Sequence, residues 1–226
     1  MAEIHLTSGN DTYIQPLVAK DLWNAVYGED GDDVIRMYQG TAIGGKGNDT
    51  FQKIVLANEP GKDMQVAYWS AGDNLKVNLE EGWAEDGQGG RDTLIGIRSI
   101  HGSGAKNAWV KGDNQDNYYW PNGGDDTFIG GAGNDGLSVN NSFEPAPGQA
   151  WRNPLLSELN IQVSVDGRNA TITPKTGQGF SITLQDVEYL DIKVSPVDSD
   201  PWQKFQVTDF ITQQSMAEQA IAAGPS

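Results

Sequence analysis

The chain has 226 residues, with 31 acidic side chains against 15 basic ones and a net charge of −16, and that length holds one large domain or two small ones around a core. Such an acid excess disfavours nucleic acid and anionic membranes, whose phosphates need clustered Lys and Arg, and no apolar run approaches the roughly 18 residues of a membrane span. Cysteine is absent, which removes disulfides, zinc fingers and thiol catalysis; two histidines, His5 and His101, leave little for an imidazole metal site.

Met1 to Asn10 shows no basic region followed by an apolar run, so no cleavable secretory signal is visible. Beyond it, glycine and aspartate recur in a nine-residue pattern, G-G-x-G-x-D-x-U-x, with U a large apolar residue. A half copy, SGNDTYI, occupies Ser8 to Ile14. Gly28 to Arg36 (GEDGDDVIR) lacks one glycine, and Gly44 to Gln52 (GGKGNDTFQ) matches in full. Residues 54–86 read as an insertion with strands of its own at Met64 to Trp69 and Leu75 to Leu79. The pattern returns at Gly87 to Ile95 (GQGGRDTLI), and the stretch Asp92 to Asn107 connects it to the next copies. Gly102 to Val110 and Gly112 to Trp120 carry Asn107 and Asn117 at the sixth position, where Asp is expected. Pro121 to Ile129 keeps Gly124, Asp126 and Phe128, and Gly130 to Ser138 (GGAGNDGLS) matches in full. Copies at Gly112, Pro121 and Gly130 hold a spacing of nine over 27 residues; a Gly-rich linker would not keep that phase with an apolar eighth position.

Residues 139–156 include Glu144-Pro145-Ala146-Pro147-Gly148, a loop leaving the repeats. Leu159 to Val165 then alternates apolar and polar residues as a half-buried strand does. Asp166 to Asn169 turns the chain, Ala170 to Thr173 returns as a hairpin partner, and further strands are expected at Phe180–Leu184 and Tyr189–Val194. Thr208 or Asp209 would cap a short final helix with Phe210, Ile211, Met216, Ala217, Ala220 and Ile221 on one stripe.

These repeats resemble the RTX, or haemolysin-type, calcium-binding repeats of bacterial secreted proteins, over roughly residues 7 to 138. The resemblance implies an all-β fold: a parallel β-roll over 1–140 with the insertion at about 54–86. An antiparallel β cap and a short C-terminal helix over 141–226 would close it, as one continuous domain, since solenoid ends need covering. It implies secretion from a bacterium by type I export, unfolded where calcium is scarce.

The residue chemistry agrees with that expectation. Twenty-one of the acids are Asp and ten are Glu, and Asp favours turns where Glu serves equally well in helices. Glycine admits φ > 0 and close chain approach, a short sixth-position carboxylate reaches an ion at the backbone, and calcium takes six to eight such oxygens. The expected metal residues are Gly28, Asp30, Gly31, Asp33, Gly45, Gly47, Asp49, Gly90, Asp92, Asn107, Asn117, Gly124, Asp126, Gly131, Gly133 and Asp135. Stacking should pair Asp33 with Asp49, Asn117 with Asp135, and Asn107 with Asp126. Ile35, Phe51, Leu94, Trp109, Tyr119, Phe128 and Leu137, at the eighth position, should face inward. At a Kd of about 10⁻⁴ M and calcium of about 10 mM, each site contributes about 2.7 kcal/mol. Four sites would match a domain's whole stability of roughly 5–15 kcal/mol and lower the charge from −16 to about −8.

Catalysis finds no support: H-E-x-x-H and G-x-S-x-G are absent, His101-Gly102-Ser103 lies in a repeat turn, and Glu80-Glu81 and Glu85-Asp86 read as solvated acids. No enzyme activity is expected. Tyr118 and Trp120 should point outward, which leaves a carbohydrate-binding or adhesion module of a larger secreted protein as the alternative. Outward Thr50, Thr93 and Thr127 are too scattered for an ice-binding row.

Overall fold

Short β-favouring runs between Gly, Asp and Asn turns predispose this chain to strands. The computed structural model describes residues 2–57, 63–69, 71–87, 90–102, 107–121, 123–140, 152–176, 179–197 and 201–211. They are mostly β-structure. The first half contains β1 (Ala2–His5), β2 (Thr12–Ile14), β3 (Asn24–Asp30), β4 (Val34–Met37), β5 (Gly40–Lys46), β6 (Thr50–Lys53), β7 (Met64–Ala67), β8 (Lys76–Asn78), β9 (Trp83–Glu85) and β10 (Arg91–Ile95). β11 (Ser99–His101), β12 (Trp109–Lys111), β13 (Tyr118–Trp120), β14 (Asp125–Ile129), β15 (Gly136–Ser138), β16 (Leu159–Val163), β17 (Asn169–Pro174), β18 (Ser181–Gln185), β19 (Tyr189–Ile192) and β20 (Gln203–Gln206) follow.

Two mixed sheets take these strands. The first runs β1-β3-β5-β7-β11-β13-β15-β19-β20, and the second β16-β17-β18-β14-β12-β8-β9-β10-β6-β4-β2. In the first sheet every neighbouring pair from β1 to β19 is parallel, and β20 closes it antiparallel. The second sheet holds two parallel blocks, β2-β4-β6-β10 and β8-β12-β14-β18. β9 joins the blocks antiparallel to both neighbours, and β17 and β16 close the far edge antiparallel. Up to β8, successive strands change sheets, so each parallel pair is linked through a strand of the other sheet.

The inward side chains meet between the sheets. Ile35, Phe51 and Leu94 lie side by side in register, and with Tyr119, Phe128 and Leu137 they are buried as the eighth position requires. Trp109 is a correction. It is half-buried, and Val110, 1% exposed, faces the core beside Val77 and Phe128. Asn107 takes φ 69°, which starts the strand one residue later than the nonapeptide count.

The 54–86 segment is not a separate insertion in strand terms. β7 sits in the first sheet between β5 and β11, and β8 and β9 sit in the second. The C-terminal strands fall close to their expected ranges, but they do not form a purely antiparallel cap: β18 and β19 pair antiparallel with β17 and β20 on one side and extend the parallel strands on the other. Where a helix was expected after Thr208, the described residues form a 3-10 turn, Val207–Phe210, with Asp209 accepting the Gln206 N–H at 2.9 Å. Met216, Ala217, Ala220, Ile221 and the Glu144–Gly148 loop lie outside the described residues. No helix among the described residues is long and apolar enough to cross a membrane.

Candidate functional site

Several of the described turns that enter strands end in residues whose side chains accept backbone N–H groups of the neighbouring turn. The sixth-position aspartates form an inner ladder. Asp33 Oδ1 accepts the Asp11 N–H at 2.8 Å, Asp49 Oδ1 the Asp33 N–H at 2.8 Å, and Asp92 Oδ1 the Asp49 N–H at 2.9 Å. At a second corner Asp135 Oδ1 accepts the Asn117 N–H at 2.7 Å, and Glu188 Oε2 accepts the Asp135 N–H at 2.6 Å. At a third, Asp126 Oδ1 accepts the Ala108 N–H at 3.0 Å. The expected stacking of Asp33 on Asp49 and of Asn117 on Asp135 is therefore present. Asn107 does not stack on Asp126, because the later strand start puts Ala108 in that row.

The fifth position builds a second, outer ladder running the opposite way, which the nonapeptide template writes only as x. Asn10 accepts the Asp32 N–H at 2.9 Å, Asp32 the Asn48 N–H at 2.7 Å, and Asn48 the Arg91 N–H at 3.1 Å. Asp116 and Asp125 do the same for Asn134 and Ser181, both at 3.0 Å. The inner-ladder donors are buried or partly buried and need such partners, whereas the outer bonds lie at the surface; a short side chain spans the roughly 4.8 Å between strands.

Glycine is required where these rungs crowd. Gly31, Gly45, Gly47, Gly124, Gly131 and Gly133 hold positive φ. At Gly28 the need is space: an added methyl would overlap Asp33 Oδ2, and one at Gly90 would overlap the Gly47 carbonyl oxygen. Asp30 stands apart from the ladder, exposed at the end of β3 with its carboxylate 3.1 Å from the Lys46 ammonium.

The inner ladder uses one oxygen of each carboxylate and leaves the other inside the protein. Asp33, Asp49 and Asp135 are at most 1% exposed, and their Oδ2 atoms have no hydrogen-bond partner among the described residues. Asp63 Oδ1 is also buried without a hydrogen bond, but it faces the Lys53 ammonium at 3.5 Å. Burial raises the ladder carboxyls: Asp33 upward, Asp49 and Asp135 to about 6, Asp92 and Asp126 to about 7, with neighbouring carboxylates adding to the effect. A carboxylate with a buried, unpartnered oxygen is costly until a proton or a cation joins it.

That donor set fits a hard cation, since every available group is a carboxylate, amide or carbonyl oxygen. Among the described residues no three His, Asp or Glu side chains converge as a preformed metal cage would require. An ion held here would take side-chain oxygens singly and complete its shell from turn carbonyls and water.

Tyr118 and Trp120 do lie on the face opposite Tyr119, half-buried. Trp120 stacks almost parallel on His101 at 4.4 Å, and Tyr118 leans on it at 4.2 Å while donating its hydroxyl to Asp191 Oδ2 at 2.5 Å. Burial lowers the His101 pKa to about 4. One face of Trp120 is thus covered by His101, while the Tyr118 ring is tilted by 53° to Trp120 and by 44° to Tyr189. The chain matches no protein-family model and no curated protein.

Proposed function

We propose that the chain is a calcium-binding module of the haemolysin-type repeat kind: a parallel β-roll whose Gly/Asp turns take several hard cations and which is stable when they are filled. The observation that carries this reading is the set of Asp33, Asp49 and Asp135 Oδ2 atoms, buried and without partners in turns of the expected repeat. A bound cation would partner each of these oxygens and neutralise a charge on a chain of −16. The alternation of strands between two sheets supports the roll. A module of this kind would be stable in calcium-rich medium outside a bacterium and loose in the calcium-poor cytosol before export.

Calorimetric titration with calcium, paired with circular dichroism in EDTA and in about 10 mM calcium, tests the proposal. Several ions should bind, and the melting midpoint should rise by tens of degrees from EDTA to calcium. No binding heat together with identical melting in EDTA and calcium would overturn it.

A further inference from the structure

The ladder aspartates fall into two kinds. Asp33, Asp49 and Asp135 each have an unpartnered Oδ2. In the other two the same oxygen accepts a hydrogen bond from a buried phenol: Tyr68 donates to Asp92 Oδ2 at 3.0 Å, and Tyr119 to Asp126 Oδ2 at 3.1 Å. Both tyrosines come from the first sheet or its immediate extension and cross the core to aspartates at strand starts of the second.

The sheet register shows what the tyrosines replace. Gly28 pairs with Gly44 between the Tyr27–Ile43 and Glu29–Gly45 pairs of β3 and β5. Counting on two residues from the Ala42–Val66 pair of β5 and β7 sets Tyr68 beside Gly44. Asp33 and Asp49 therefore fold their Oδ2 atoms over a bare glycine, and at both glycines an added methyl would overlap that oxygen. One rung along, where Tyr68 stands in the glycine column, the carboxylate meets a hydroxyl instead. Tyr119 reaches Asp126 from within β13, and the space for its hydroxyl depends on Gly102, where an added methyl would press on the phenol oxygen. A phenol at this depth stays protonated, because burial and the facing carboxylate both raise its pKa.

We propose that Tyr68 and Tyr119 are internal substitutes for a bound cation, so that the turns ending in Asp92 and Asp126 close without an ion while those ending in Asp33, Asp49 and Asp135 each take one. The ion count rests on the calcium reading above; closure by hydroxyl at Asp92 and Asp126 is separable from it. The stack then has a cation-independent pair of rungs in its middle and cation-dependent rungs on either side, which lets the middle hold shape while the flanking turns fill.

The test is a calcium titration of aspartate variants beside chelator melting of tyrosine variants. Wild type should bind three ions. Asp33→Asn, Asp49→Asn and Asp135→Asn should each bind two, whereas Asp92→Asn and Asp126→Asn should still bind three. In EDTA, Tyr68→Phe and Tyr119→Phe should lower the midpoint by roughly 3–10 °C, the effect of leaving a buried acceptor unpaired in a chain of this size. Calcium should then restore more stability to these variants than it adds to wild type. Loss of an ion in Asp92→Asn or Asp126→Asn would overturn the substitution, as would unchanged EDTA midpoints in both tyrosine variants. Should the tyrosine variants not fold in EDTA, the aspartate stoichiometries decide alone. Wild type binding no calcium would overturn the calcium reading and the ion count, leaving hydroxyl closure to the EDTA midpoints.

Discussion

Asp49→Asn removes a charge from the inner ladder while keeping its hydrogen bonds, so it separates what the ladder does for shape from what it does with charge. Asn retains an Oδ1 to accept the Asp33 N–H, and the residue's own N–H still donates to Asp92. Asn117 shows that this turn position houses an amide: its Oδ1 accepts the Asp113 N–H at 2.7 Å and its Nδ2 has no partner. Burial, helped by Asp33, Asp32 and Asp86, lifts the Asp49 carboxyl from 3.8 to about 6. A shift of that size is at most on the order of 3 kcal/mol, and solvent screening at the turn cuts it to about 1–2 kcal/mol. The folded state holds the proton more tightly than the unfolded one, so this contribution is full below pH 4, declines as pH rises through about 6, and is gone above it. Wild type in EDTA should therefore lose about 1–2 kcal/mol from this group between pH 4 and pH 7.5, and Asp49→Asn should lose that much less. The orphan amide costs about 1–3 kcal/mol at every pH, so the pH dependence is the decisive readout. Urea unfolding in EDTA at the two pH values measures it. On the calcium reading, moving from EDTA to about 10 mM calcium should stabilise wild type by about 2.7 kcal/mol more than the variant, one ion's worth at a Kd of about 10⁻⁴ M. An identical pH dependence in both proteins would refute the reasoning.

Gly45→Ala should cost at least about 4 kcal/mol or abolish folding, since φ is 103° and the added methyl overlaps the Glu29 carbonyl oxygen. Gly9→Ala, whose nearest atom is Thr7 Oγ1 at 3.8 Å, should change stability by less than about 1 kcal/mol; equal melting points for the two variants would contradict the rung packing. Val110→Ala should destabilise by about 2 kcal/mol and Trp109→Ala by less, despite the larger side chain lost, and thermal melts in the reverse order would return Trp109 to the core. His101 should stay neutral from pH 8 down to about 5 in NMR titration, with protonation near 4; a midpoint near 6.5 would mean its ring is not enclosed.

Most inward positions were legible because the nonapeptide imposes local demands. Glycine must pass through conformations other residues avoid, and one apolar side chain must follow the turn, so Ile35, Phe51, Leu94, Phe128 and Leu137 could be assigned by counting. Counting failed at Trp109 because Asn107 entered the left-handed region and delayed the strand by one residue, an event the template has no letter for. β7 and β8 passed as an insertion for a related reason: Tyr68 occupies the column where glycine marks the other rungs, and the period disappears with it. The outer ladder was present in the sequence as repeated pairs, Asn10-Asp11, Asp32-Asp33, Asn48-Asp49, Asp116-Asn117 and Asp125-Asp126, but only a strand partner reveals what the first of each pair accepts. The aspartate excess therefore has a cause before any ion is considered. A short side chain can take an N–H from the adjacent rung, and Glu, one carbon longer, does so only at the end of a ladder, at Glu188. Hydrogen bonding accounts for one oxygen of each inner carboxylate; the charge left on the other must be met by a proton, a phenol or a cation, and the residue facing that second oxygen determines which.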